Sequence, residues 1–200
     1  MNRDRDGGRR QAPGEGEALN RCADVLRGRR TIDQYLATPV PAQLVRDAVE
    51  SATWAPNHHV TEPWRFYLLG AETIARCLDL NEAIVSARKG PEAGAFKRRA
   101  WSEKPGWLVV TCRRSADAFR EREDYGACCA AVQNLILHLW SAGVGSKWTS
   151  GDITRDPRFA EILGIDFADE FVVGLIWYGY PKLTPTQSRK DVADKLVELP

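Results

Sequence analysis

Apolar residues recur along this chain in two rhythms, and their order predicts a layered protein. Ala18, Cys22, Val25 and Leu26 fall at helical spacing and stop at Gly28. After the turn Thr38-Pro39-Val40-Pro41, with Pro41 near a first helical position, Leu44, Val45, Ala48, Val49 and Ala52 form a second stripe. An unbroken apolar run from Phe66 to Leu69 then reads as a strand over residues 64–70. Ala71 to Ala87 reads as a helix with Ile74, Leu78 and Ile84 turned inward. Residues 88–104 lose the pattern. They carry Lys89, Lys97, Arg98, Arg99 and Lys104 together with Gly90, Pro91 and Gly94, and they read as a mobile cover segment outside the core.

Trp107-Leu108-Val109-Val110-Thr111-Cys112 has the pattern of a buried strand, and a long helix follows from Asp117 to Ala142. From Ala127 to Trp140 that helix is apolar almost all round, so it must be covered on every side, by the core or by another subunit. His138 and Asn134, one turn apart, read as a satisfied polar pair within it. The helix stops at Gly143, and a short strand from Val144 ends in Trp148-Thr149-Ser150-Gly151, whose small residues allow close approach to the backbone. A helix capped by Thr154 or Asp156 runs to Leu163, with Pro157 in its first turn. Phe171 to Tyr180 is the strongest strand pattern, and a short helix over Val192 to Val197 closes the chain. Residues 1–16 are charged and Gly-rich without large apolar residues, which predicts a disordered tail ahead of a single domain over 17–200.

The stretch WAPNHHVTEPWRF, Trp54 to Phe66, stands out between helix and strand. Such a connection needs only a few residues. This one holds Pro56 and Pro63, which stiffen the backbone on either side, and packs His58, His59, Glu62, Trp54 and Trp64 between or beside them. A stiff loop with flat rings and hydrogen-bonding groups suits a flat polar ligand; as a structural connection, its tryptophans would plug the core.

Totals narrow the function classes. At 200 residues the chain is one domain or one subunit of an intertwined oligomer. A net charge of +1 argues against a role spent wholly on nucleic acid or a membrane surface, but leaves room for a local basic pocket. No run of about 18 apolar residues is present to span a bilayer, and no apolar leader is seen in MNRDRDGGRRQAPGEGE, so a cytoplasmic protein is expected. Five scattered cysteines without a C-x-x-C pair read as reduced, buried thiols.

The fingerprints of dinucleotide-binding and phosphate-cradling loops are absent, as is the G-x-S-x-G elbow of hydrolases. Adjacent His58 and His59 are poorly spaced for one metal, even with Glu62 as a third ligand, and no metal is expected. Arg29-Arg30-Thr31 at a helix end offers the donors that a phosphate monoester needs.

These features, in this order, resemble the nitroreductase family of flavin-dependent oxidoreductases. The resemblance covers about residues 18 to 198. It is carried by Arg29-Arg30-Thr31, by the Ala55-Pro56 loop closing in Glu62-Pro63-Trp64-Arg65-Phe66, and by Gln133-Asn134-Leu135. Gly143-Val144-Gly145 with Trp148-Thr149-Ser150-Gly151, then Ile176-Trp177-Tyr178-Gly179-Tyr180-Pro181 and Arg189, complete it. The loop and the W-T-S-G turn are most similar to the small, compact NAD(P)H nitroreductase branch. The resemblance implies an α+β fold with a mixed sheet flanked by helices, built as an intertwined homodimer with FMN at the subunit interface. It implies phosphate and ribityl contacts from Arg29, Arg30 and Thr31 and a C-terminal phosphate contact from Arg189. His58 and Glu62 match flavin-contacting positions, and Trp148, Thr149 and Ser150 match the turn beside the isoalloxazine.

Many members have Gln at the position of Glu62, and Ser-Gly-Asn-type residues where His58-His59 stand. The implied activity is ping-pong hydride transfer from NADH or NADPH to a small acceptor such as a nitroaromatic or quinone, with no protein residue acting as nucleophile or general acid. A flavin-binding or sensing module without turnover, or a dehydrogenase or dehalogenase on the same scaffold, would fit the same residues.

Overall fold

The computed structural model describes residues 15–200. Residues 1–14 of the expected tail lie outside the described residues, whereas residues 15 and 16 already belong to the first helix. The elements in order are α1 (Glu15–Gly28), α2 (Ala42–Thr53), β1 (Trp64–Leu68), α3 (Ala71–Lys89), α4 (Pro91–Ser102), β2 (Gly106–Arg113), α5 (Ala118–Ser141), β3 (Gly145–Thr149), α6 (Pro157–Leu163) and β4 (Glu170–Gly179). Short 3₁₀ turns occupy His58–Val60, Asp152–Arg155 and Val192–Asp194.

The strands form one sheet in the order β1-β2-β4-β3, with every neighbouring pair antiparallel. The four strands are thus wholly antiparallel where a mixed sheet was expected; parallel pairing among the described residues is limited to an isolated bridge between Thr31 and Ser146 on the outer edge of β3. Gly145 permits that close approach: a Cβ there would lie 2.4 Å from Ile32 Cγ1. Tyr35 bridges to Pro181 on the same side.

The two central strands are buried on both faces, which is why they read as continuous apolar runs. Leu108, Val110, Cys112 and Ile176 face one layer, where Val45, Ala48 and Ala52 of α2 pack with Ala131, Val132 and Leu135 of α5. Trp107, Val109, Leu175 and Trp177 face the other, under Cys77, Leu78 and Leu80 of α3, Trp101 of α4 and Phe159 of α6. The result is a sheet between two helical layers, an α+β fold.

Where a mobile cover was expected, α4 is a regular helix. Pro91 sits at its first position with Glu92 in the first turn, which favours initiation. Gly94 does not break it: a Cβ there would come 2.8 Å from the Glu82 carbonyl oxygen, so glycine lets α4 lie directly on α3. Trp101 then anchors its far end in the core. At the other end of the chain, the closing helix shrinks to one 3₁₀ turn, and residues 182–200 are exposed.

Most of α5 between Ala127 and Trp140 is buried or half-buried, as its apolar circumference requires. His138 and Asn134 are satisfied by one residue of α2: Ser51 Oγ lies 2.8 Å from His138 Nδ1, and Asn134 Nδ2 donates to the Ser51 carbonyl at 3.4 Å. Asp117 caps α5 by accepting from the backbone N–H groups of Phe119 (2.9 Å) and Arg120 (3.4 Å). Asp117→Ala is expected to lower stability by about 1 kcal/mol, read as a lower denaturant midpoint at unchanged slope. Cys77, Cys112 and Cys128 are buried free thiols, but Cys22 is exposed. Among the described residues no helix is long and apolar enough to cross a membrane.

Candidate functional site

The sheet edge that carries β3 gathers most of the residues singled out in the sequence. The chain leaves α1 at Arg29, and Thr31 and Ile32 run along β3, with the Ile32 N–H donating to the Ser146 carbonyl at 3.0 Å. Arg29, Arg30 and Arg189 meet here although 159 positions separate Arg30 from Arg189. Burial pulls the Arg29 guanidinium below its ordinary pKa, and the charges of Arg189 and Arg30 pull it further. Among the described residues neither Arg29 nor Arg189 forms an ion pair with a carboxylate. Arginine guanidiniums are the donors that pair with phosphate and carboxylate anions. Arg30 is partly spent, because its Nη1 donates to the carbonyls of Arg27 (2.6 Å) and Arg29 (2.9 Å) at the end of α1.

From Ser146, beside Thr31, β3 leads to Thr149 in three residues, about 10 Å. There it reaches a cavity of about 330 Å³ that Thr149 lines together with Lys147, Lys104, Asn81, Trp101 and Trp177. Lys104 lies 5.7 Å from the Trp177 ring centre and donates to the Asp33 carbonyl at 2.5 Å; Lys147 pairs with the Asp33 carboxylate. Burial lowers the Lys104 pKa. Two further donors face unmet demand. Asn81 Nδ2 and Trp177 Nε1 are buried without a partner, in side chains only 5% and 3% exposed that both line this cavity. Leaving such donors unpaired is costly.

Trp148 lies on the opposite face of β3. Its indole covers Gly174 and donates from Nε1 to the Val173 carbonyl at 3.2 Å, with 37% of the residue exposed. A Cβ on Gly174 would fall 2.0 Å from that nitrogen. Gly174→Ala is therefore expected to expel the indole and disturb the Trp148–Ser150 turn. An altered near-UV circular dichroism spectrum with unchanged far-UV signal is the readout. Ser150 is exposed at the tip of the turn.

His58 and Glu62 are not brought to this edge. Their loop precedes β1, at the opposite end of the sheet, three strand spacings or about 14 Å across. Asn57 and Thr61 brace the loop: Asn57 Oδ1 accepts from the Glu62 backbone N–H at 2.7 Å, and Thr61 Oγ1 donates to buried Asp124 at 2.5 Å. His58 Nδ1 lies 3.0 Å from Glu123 Oε1 of α5, and Glu62 is exposed.

Asn81 and Lys147 were not singled out by the sequence, and Lys104 and Trp177 entered only as part of a cationic segment and a strand motif. Asn81 alone left a signal there, a polar residue within the apolar stripe Cys77, Leu78, Leu80 and Ile84 of α3. A larger cavity of about 830 Å³ near Arg65, Arg113, Asp166 and Glu170 includes none of the expected residues, and Arg65 and Glu170 pair across it at 3.7 Å.

One edge of an α+β sheet thus carries a group of like-charged arginines and, further along β3, a cavity lined by Lys104, Lys147 and Thr149. Comparison with known proteins gives the family. The model of the Nitroreductase family matches residues 26–180, and the chain belongs to that family. It is 32% identical over 181 residues to the Bacillus subtilis (strain 168) protein named "Putative NAD(P)H nitroreductase YfhC", covering 88% of this chain and 93% of that one. Its fold is similar to the crystal structure of a nitroreductase-like family protein from Bacillus cereus, with a TM-score of 0.79 and 28% identity over 88% of this chain and 95% of that one. A "putative nitroreductase in complex with fmn" from Desulfovibrio desulfuricans superposes with a TM-score of 0.73 and 25% identity over 89% and 96%.

Proposed function

We propose that this chain is an FMN-dependent oxidoreductase that takes reducing equivalents from NADH or NADPH and passes them to a small acceptor such as a nitroaromatic or quinone, working in the cytoplasm. The observation that carries the reading is the pair of features on one edge of the sheet. Arg29 and Arg189, with no carboxylate partner among the described residues, supply positive charge for a phosphate, and about 10 Å along β3 the cavity lined by Lys104, Lys147 and Thr149 offers donors to ring acceptors. FMN has that form, a dianionic phosphate joined by a ribityl chain to a planar ring edged with carbonyls. The "in complex with fmn" relative and the NAD(P)H in the name of the Bacillus subtilis relative support the same assignment.

When bound, FMN supplies two-electron chemistry between a nicotinamide and an acceptor that visit in turn. The protein's part is position and charge. Arg29, with Arg189, holds the phosphate, and Thr31 fixes the start of the ribityl chain. The Thr149-Ser150 backbone runs beside the ring, with Trp148 locked on Gly174 behind it. Lys104 and Lys147, fixed by Asp33, place positive charge at the cavity wall, where it favours added negative charge on the ring.

His58 and Glu62 complete this site only from a second copy, because in one chain they lie at the far end of the sheet. A homodimer with the cofactor between subunits fits this reading, and the half-buried apolar flank of α5 is suited to that contact. Glu62 accepts hydrogen bonds where an amide would also donate, so it suits a ring N–H.

A visible spectrum of the purified protein, followed by anaerobic addition of NADH or NADPH, tests the proposal. Flavin absorbance that bleaches rapidly is the expected result. A colourless protein that takes up no FMN sinks the reading, and bound flavin that stays oxidised leaves a binding module in its place.

A further inference from the structure

Outside the flavin site, the loop after α2 and the middle of α5 bring together two imidazoles and a carboxylate. The ligand atoms of His58, His59 and Glu123 all lie within 4.8 Å of one another, and His58 Nδ1 is 3.0 Å from Glu123 Oε1. Sequence neighbours on an extended backbone point apart, which made His58 and His59 poor partners for one ion. The structure removes that objection. His59 takes φ 62° and Val60 φ 51°, and this left-handed turn folds the two rings onto the same side, 3.9 Å apart and 20° from parallel. Left-handed backbone is rare for a β-branched residue. It is held here by the hydrogen bonds of Asn57 and by the Thr61–Asp124 contact. The carboxylate comes from a different, rigid element, helix α5.

We propose that His58, His59 and Glu123 form a binding site for one divalent transition ion of the zinc class. Imidazole nitrogen and carboxylate oxygen match the preference of Zn²⁺ over Mg²⁺ or Ca²⁺. Ligand distances of about 2.0–2.1 Å in a tetrahedron place donor atoms about 3.3 Å apart. Bringing atoms from within 4.8 Å to that separation needs only rotations of side chains that are exposed or half-exposed. Three protein ligands leave a fourth position for water. Bound zinc ties the loop that precedes β1 to α5. It also draws on His58, which the flavin reading assigns to the partner's cofactor, so an occupied metal site and that contact compete.

The test uses the full chain, stripped of metal with a chelator, and zinc chloride alone as the probe, titrated calorimetrically into flavin-free protein. One zinc per chain is expected in the flavin-free protein. That uptake is expected to disappear in both His59→Ala and Glu123→Gln and to persist in Cys22→Ser, which removes the exposed thiol as a competing ligand. Far-UV circular dichroism checks that the variants remain folded. No uptake by the wild-type protein, or uptake that survives both His59→Ala and Glu123→Gln, overturns the site. Neither result bears on FMN binding, because the readout is metal uptake by protein that holds no flavin.

Discussion

Arg29→Ala is expected to weaken FMN binding by between about tenfold and a hundredfold, the range set by losing one charge-assisted hydrogen bond of about 1.5–3 kcal/mol. Arg189→Ala should act in the same direction, because the two guanidiniums converge and neither has a carboxylate partner among the described residues. Arg30→Ala should cost less affinity, since that side chain already serves carbonyls at the end of α1. The sign of the Arg29 shift supports this ranking. Burial and like charges disfavour its protonated form in the protein alone, and a phosphate dianion reverses that penalty. Quenching of flavin fluorescence on titration into apoprotein measures all three. Full affinity in Arg29→Ala alongside a large loss in Arg30→Ala would place the phosphate elsewhere. Raised salt should weaken the wild-type complex more than the Arg29→Ala complex.

The second large effect concerns stability. Trp107 is fully buried, and its ring meets Trp101 at 5.6 Å and Trp177 at 5.7 Å, both edge to face. Trp107→Ala is expected to cost about 3–5 kcal/mol, from lost burial plus the cavity left behind. That is a large part of the stability of an ordinary domain. Urea unfolding followed by circular dichroism measures it. A loss below about 1 kcal/mol would mean that the three indoles are not the framework of the second core face. Trp101 and Trp177 also line the proposed ring cavity, so a folded Trp107→Ala protein should bind FMN more weakly, although Trp107 does not line the cavity itself.

How much of this was legible in the sequence depended on what each residue answers to. β2 and β4 were plain, because strands buried on both faces show uninterrupted apolar runs. α5 was plain because its circumference is apolar. α4 was hidden. Its charges face outward, and Gly94, which looks like a breaker in sequence, is a close contact with Glu82 and Ser86 of α3 that no local pattern reveals. Arg29, Arg30 and Thr31 could be nominated from their chemistry, but their meeting with Arg189 depends on β3 lying at the sheet edge. Strand order also decides that His58 and Glu62 sit at the other edge, and order along the chain does not disclose it. Trp177 read as part of a strand. Only the assembled sheet shows its indole nitrogen buried and without a partner among the described residues, in a side chain that lines a cavity.

The arrangement of the arginines separates folding from cofactor retention. Residues 183–191, which lead to Arg189, are exposed and form neither helix nor strand, while both core faces are complete by Tyr180. A protease that clips between Lys182 and Arg189 would leave a cooperative, folded body with half of its phosphate clamp missing. On the proposed phosphate role of Arg189, trimmed and intact molecules stripped of flavin would then melt alike yet differ in the flavin they take up, and the last twenty residues would act as a latch on the cofactor rather than as a support of the fold.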